Sequence, residues 1–188
     1  MQVGVLALQG AFQEHQKMLA DCGVKSLQVR KDLQLEDISA LIIPGGESTT
    51  IGKLLQEYNL FKPIIRMAGK GLPIFGTCAG MIMLAQVING SQQPRLGLME
   101  ICVDRNAFGR QVNSFEEDLN IPALGVEPFR AVFIRAPYVT DVSVNVEVLV
   151  RCDGKIVLVR QGKFLAAAFH PELTGDIRLH RYFIENCL

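Results

Sequence analysis

Three short apolar runs that each stop at glycine constrain this chain more than any other feature. Val3-Gly4-Val5-Leu6-Ala7-Leu8 ends at Gln9-Gly10, Ala40-Leu41-Ile42-Ile43 at Pro44-Gly45-Gly46, and Leu72-Pro73-Ile74-Phe75 at Gly76-Thr77-Cys78. Runs this short and without polar alternation read as strands covered on both faces. Between them the period lengthens to that of a helix. Phe12, Met18, Leu19 and Cys22 share one face of a helix over 12–22, with His15 on its polar side and Gly23 placed to cap its C-terminus. A short strand follows over 27–29. Ser48, Thr49 or Thr50 caps a helix reaching residue 58, a second helix spans 62–68, and a third, over 79–87, starts directly after Cys78. This alternation predicts an α/β fold in three layers, a mostly parallel central sheet between helices joined by right-handed crossovers. Ligands then belong at the carboxyl ends of the strands, where all three glycine stops lie.

After Asn89 the rhythm changes to a strand-rich C-terminal half, with candidates over 100–103, 131–134, 146–151, 156–159 and 164–169 and a hairpin turn at Asp153-Gly154. The polar stretch 104–119 reads as a functional loop. A last amphipathic helix over 176–186 leaves His180 facing solvent. With 188 residues the chain is expected to form one domain over 1–188.

Nineteen basic residues balance nineteen acidic ones. Nucleic acid is therefore not expected as a partner, since no basic patch supplies the electrostatics that such binding needs. Nor is a membrane: the longest apolar runs are about six residues, against about 20 for a span. No basic leader precedes the first apolar run, and five widely spaced cysteines form no disulfide or zinc pattern, which points to the reducing cytoplasm.

Gly76-Thr77-Cys78-Ala79-Gly80, between a strand and a helix, has the form of a nucleophile elbow with cysteine at its apex. An ordinary thiol, pKa about 8.5, is only about 3% ionised at pH 7, so such a nucleophile needs a base. Phe169-His170-Pro171-Glu172 offers one: its strand delivers His170 to the same sheet edge, and Glu172 can orient the imidazole. The glycine pair at Gly45-Gly46 can turn an amide toward a developing oxyanion, and Ala79, after the nucleophile, adds a second. A phosphate-loop reading of Gly46 to Lys53 fails, because five residues rather than four precede Gly52-Lys53 and Leu54 stands where a magnesium-binding hydroxyl belongs.

Together these residues resemble the class I (triad) glutamine amidotransferases, and within them the glutaminase subunits of pyridoxal 5'-phosphate synthase. The likeness covers nearly the whole chain. It includes Ala7-Leu8-Gln9-Gly10 with Glu14-His15, Pro44 to Thr50, the Cys78 elbow, Arg105-Asn106 with Phe108-Gly109-Arg110-Gln111 and Ser114-Phe115-Glu116, Phe133 to Pro137, and Phe169 to Thr174. Asp104 departs from the Glu usual in that subfamily, outside the chemistry.

The resemblance implies a flavodoxin-like fold, hydrolysis of L-glutamine through a thioester on Cys78, and a triad completed by His170 and Glu172. It also implies an oxyanion hole from the N–H groups of Gly46 and Ala79, and substrate contacts at Gly46, Glu47, Ser48, Arg105, Ile134 and Arg135. No metal or cofactor is implied. The implied partner is a (β/α)8 synthase subunit that uses the ammonia. The glutaminase is expected to stay nearly silent until docking at Gln9-Gly10 turns the Gly45-Gly46 peptide. Competing readings are another amidotransferase glutaminase, such as the partner in imidazole glycerol phosphate synthase, a flavodoxin-like module with a redox-sensing cysteine, and a cysteine peptidase.

Overall fold

The structure is a computed structural model describing residues 1–105 and 114–188. Asn106 and Phe108-Gly109-Arg110-Gln111 of the subfamily segment lie outside the described residues.

The elements run β1 (Gln2–Leu6), α1 (Phe12–Asp21), β2 (Lys25–Val29), β3 (Ala40–Ile43), α2 (Ser48–Glu57), α3 (Phe61–Gly69), β4 (Ile74–Thr77), α4 (Ala79–Leu84) and β5 (Ala85–Ile88). The second half holds β6 (Met99–Asp104), β7 (Ser114–Leu119), β8 (Phe129–Ile134), β9 (Tyr138–Val142), β10 (Glu147–Cys152), β11 (Lys155–Gln161), β12 (Phe164–Ala167) and α5 (Arg178–Cys187).

Among the described residues one large sheet has the order β2-β1-β3-β4-β12-β11-β9-β6-β5, with β10 paired to β11. The first five of these strands are mutually parallel. β3 and β4 are buried along their whole length, β3 as its unbroken apolar sequence requires, β4 with Gly76 and the polar Thr77 buried beside Ile74 and Phe75. In β6, buried Met99, Ile101 and Val103 alternate with half-exposed Glu100, Cys102 and Asp104, the pattern of a sheet with one wet face.

β7 and β8 pair as a separate antiparallel ribbon. Phe115 stacks on Phe133 at 4.6 Å, and Phe129 and Phe133 both pack against Phe169 just beyond β12. The ribbon is thereby seated over the end of the central sheet.

Several boundaries differ from expectation for local reasons. The helix over 79–87 stops at Leu84, because Ala85 turns extended and begins β5 beside β6. The N-cap of α2 is Glu47, whose carboxylate accepts the Thr50 N–H, rather than one of the three hydroxyl residues. Part of the expected loop over 104–119 is β7. Asp153 and Gly154 both have positive φ, the backbone of the expected hairpin turn. No helix among the described residues is long and apolar enough to cross a membrane.

Candidate active site

Strand register decides what meets at the carboxyl edge. Ala167 of β12 lies opposite Thr77 of β4, so Cys78 and His170 emerge one and three residues beyond a paired position. Cys78 has φ 48° and ψ −101°, a backbone that a side-chain-bearing residue adopts only under constraint, and its N–H donates to Ala167 O at 2.8 Å. The flanking glycines are steric requirements. A Cβ on Gly76 would lie 2.8 Å from Leu84 Cδ1 and collide with the Gly80 backbone, and one on Gly80 would strike the Ile43 carbonyl. Ala79 opens α4, so its N–H has no acceptor within the helix.

His170 ends the β12 segment with its N–H donating to Val132 O of the ribbon at 2.8 Å. A single 3₁₀ turn, Pro171–Leu173, then folds Glu172 back onto the ring. Glu172 Oε1 lies 2.7 Å from His170 Nδ1, which leaves Nε2 to meet the Cys78 thiol. Burial alone would lower the His170 pKa, but hydrogen bonds to Cys78 and Glu172, with their charges, carry it up to about 10. The imidazole is held positive between two anion-forming groups. The ring also needs Gly45: a Cβ there would sit 2.9 Å from Nδ1 and collide with Cε1.

These groups line a cavity of about 340 Å³. Its walls include Gly46, Glu47, Ser48, Cys78, Ala79, Arg105, Ile134, Arg135 and His170, so every expected contact residue is brought to one place; Glu172 stands behind. The Cys78 thiol faces Ile134 O at 3.8 Å. Arg105 lies 3.7 Å from the Glu47 carboxylate and donates to Gln93 Oε1 at 2.9 Å. Buried Ser48 donates to the same oxygen.

Gln9, on the cavity wall, and Gln93, bonded to that wall, are functional candidates that sequence reasoning did not connect with the pocket. Gln93 joins two wall residues through one amide oxygen. Gln9 lines the cavity and accepts the Glu47 N–H at 2.9 Å. The Gly45 carbonyl accepts the Ala11 N–H at 3.3 Å, so the Gly45-Gly46 peptide is held by the loop after β1.

The expectation that His15 and His180 face solvent is wrong: both are fully buried. His15 lies three residues from both Phe12 and Met18, and His180 three from Phe183, so each occupies the apolar face of its helix. That spacing was the available signal. His15 Nδ1 is 2.8 Å from His180 Nε2, and His15 Nε2 is 3.1 Å from Thr77 Oγ1. Burial lowers both, His180 to about 3 and His15 well below the usual imidazole range, the latter also through repulsion from His180 and His170. Both rings are neutral at pH 7.

The chain matches the model of the SNO glutamine amidotransferase family over residues 5–188. It is 71% identical over 188 residues to a protein of Pelotomaculum thermopropionicum named pyridoxal 5'-phosphate synthase subunit PdxT, covering 100% of this chain and 96% of that one. A Thermus thermophilus protein of the same name is 58% identical, with 97% and 96% covered. A crystal structure titled glutamine amidotransferase superposes with a TM-score of 0.93 at 56% identity, covering 98% of each chain. The structure of PurLQS from Thermotoga maritima, at 17% identity, a TM-score of 0.73 and 97% of each chain covered, shares the fold. An elbow cysteine, a charged imidazole and a carboxylate in this fold, with such a match along the sequence, establish that the chain belongs to the SNO glutamine amidotransferase family.

Proposed function

We propose that this chain hydrolyses L-glutamine to L-glutamate and ammonia and supplies the ammonia to the (β/α)8 subunit of a pyridoxal 5'-phosphate synthase. The observation that carries the reading is the convergence of a strained elbow thiol, a positive imidazole and its carboxylate at one open cavity. The names of the relatives support the choice of acceptor.

Cys78 attacks the side-chain amide carbon as thiolate while His170 holds the proton. The oxyanion of the tetrahedral intermediate is received by the N–H groups of Gly46 and Ala79. As it collapses, the C–N bond breaks, His170 gives its Nε2 proton to the departing ammonia, and a γ-glutamyl thioester remains. His170, now neutral, takes a proton from water. The resulting hydroxide attacks the thioester, and glutamate leaves as the thiolate and imidazolium re-form. Glu172 fixes the ring and stabilises the imidazolium throughout.

Arg105 and Arg135 suit the substrate α-carboxylate and Glu47 the α-ammonium, with Ser48 and the Ile134 backbone shaping the wall. Turning the Gly45-Gly46 peptide gives up the Ala11 bond. Docking of the synthase subunit at Gln9-Gly10 is the proposed trigger. The five free thiols fit work in the cytosol.

The test is glutamate release with the synthase subunit present. Cys78→Ala is expected to lose at least about 10³-fold. A diazo-ketone glutamine analogue should label Cys78; labelling elsewhere would favour a peptidase or redox role. Equal rates with and without the synthase would overturn the docking trigger.

A further inference from the structure

Glu172 has two carboxylate oxygens, and the triad uses one. Oε2 is buried and makes no hydrogen bond; His15 Nε2 lies 3.4 Å from it. The same His15 nitrogen meets Thr77 Oγ1, which accepts the Gly45 N–H at 3.1 Å. On the far side of His15 the pair with His180 ends at His180 Nδ1, buried and unpartnered. The motif residue His15 and the elbow residue Thr77 thus join the triad carboxylate to the loop that carries Gly46.

Two proton arrangements fit the His15–His180 pair. With hydrogen on Nε2 of both rings, His180 donates to His15 Nδ1, His15 donates toward Thr77 beside the carboxylate, and the unpartnered His180 Nδ1 is only a lone pair. With hydrogen on Nδ1 of both, the His15 Nε2 lone pair faces a carboxylate oxygen and His180 buries an N–H with no acceptor. Each arrangement leaves one buried donor unpaired: the O–H of Thr77 in the first, since Thr77 already accepts from Gly45 and His15, and the Nδ1–H of His180 in the second. The carboxylate therefore decides, because a lone pair facing it repels and an N–H facing it attracts. The first arrangement is therefore the stable one.

We propose that His15, held in its Nε2–H form by His180, is a positioning residue that ties Glu172 and the Gly45-Gly46 loop into one buried frame. It touches no substrate. The proposal rests on the glutaminase reading for its catalytic part alone.

Nitrogen-15 NMR of the imidazoles in the free subunit at neutral pH tests the frame without reference to activity. Both His15 and His180 are expected as Nε2–H tautomers; an Nδ1–H tautomer at His15 overturns the proposal. Glutamate release with the synthase subunit tests the role. His15→Leu is expected to lower kcat about 10²-fold, the scale on which a reacting group displaced by about 1 Å acts, with KM moved less than about twofold. His15→Gln, whose amide N–H reaches as far as Nε2, restores most of it. Thr77→Val, which keeps the branched side chain, lowers kcat about tenfold and carries the test if the leucine variant fails to fold. Unchanged kcat in Thr77→Val or His15→Leu, or equal losses in the Leu and Gln variants, overturns the proposal. Wild-type protein that releases no glutamate rejects the glutaminase reading and leaves the tautomer result standing.

Discussion

His170 and the His15–His180 pair stand on opposite sides of one carboxylate, all three buried, and end in opposite charge states. On the pocket side, burial is outweighed by hydrogen bonds to Cys78 and Glu172, and the ring is held positive with a pKa of about 10. On the interior side, burial dominates: His180 falls to about 3, and His15 is lowered further by its histidine neighbours. The deciding factor is hydrogen bonding, which raises His170 through Cys78 first and Glu172 second and raises neither ring of the interior pair. Glu172 Oε1 lies 2.7 Å from His170, whereas Oε2 is 3.4 Å from His15 with no hydrogen bond formed. One carboxylate can therefore stand beside a charged ring at the cavity and a neutral one behind it.

Removing the anion is the strongest way to break this contrast. Glu172→Gln is expected to lower kcat about 10³- to 10⁴-fold, as loss of the orienting carboxylate does in triads generally, and to bring the His170 pKa down from about 10. Imidazole NMR should show His170 falling while His15 and His180 stay neutral. A His170 unmoved by the change would mean that Cys78 alone sets its charge.

Displacing the pocket-side ring without touching its partners is the next test. Gly45→Ala puts a Cβ against His170, and Gly45 has no positive φ to add backbone strain. A ring shifted by about 1 Å is expected to cost about 10² in kcat. Full activity in this variant would show that the ring has room to move.

The smallest effect sharpens the comparison through stability. His15 and His180 are neutral in the fold and protonate in the unfolded chain below about pH 6.5, so the unfolded state binds more protons there. Stability is then lost as pH falls below about 6.5, through both rings and for His180 down to about 3. His170, raised in the fold, contributes stability that is complete below pH 6.5 and lost as pH rises through about 10. Urea unfolding should therefore show maximum stability near pH 6.5. Between pH 6.5 and 5, above the range where the lowered carboxyls of Glu47, Glu100 and Asp176 titrate, His180→Leu should reduce the slope. A flat wild-type profile in that window would refute neutral burial of the pair.

Much of the edge that carries the site was legible before any coordinates. β3 falls where its apolar run lies, the elbow glycines read as turn formers, and Glu172, two residues beyond His170, reads as the group that orients the imidazole. β5, β7 and β9 were missed. Ala85-Gln86-Val87-Ile88 suits a helix or a strand equally well, and only pairing with β6 makes it a strand. Glu47 was read for substrate contact, but not for the helix cap that its two-oxygen side chain also provides.

The sequence by itself determined the local devices: buried strands, glycine stops, the cysteine between two glycines, and a histidine two residues before a glutamate. These follow from backbone sterics and short-range periodicity, which neighbouring residues control. Tertiary structure decided the state of each imidazole. His15 and His180 are 165 positions apart, and His15 and Thr77 are 62 apart. A proton's position depends on which groups lie within about 4–6 Å in a poorly hydrated interior. Only the folded chain supplies those neighbours, so identical side chains became a charged acid at the cavity and a neutral pair behind it.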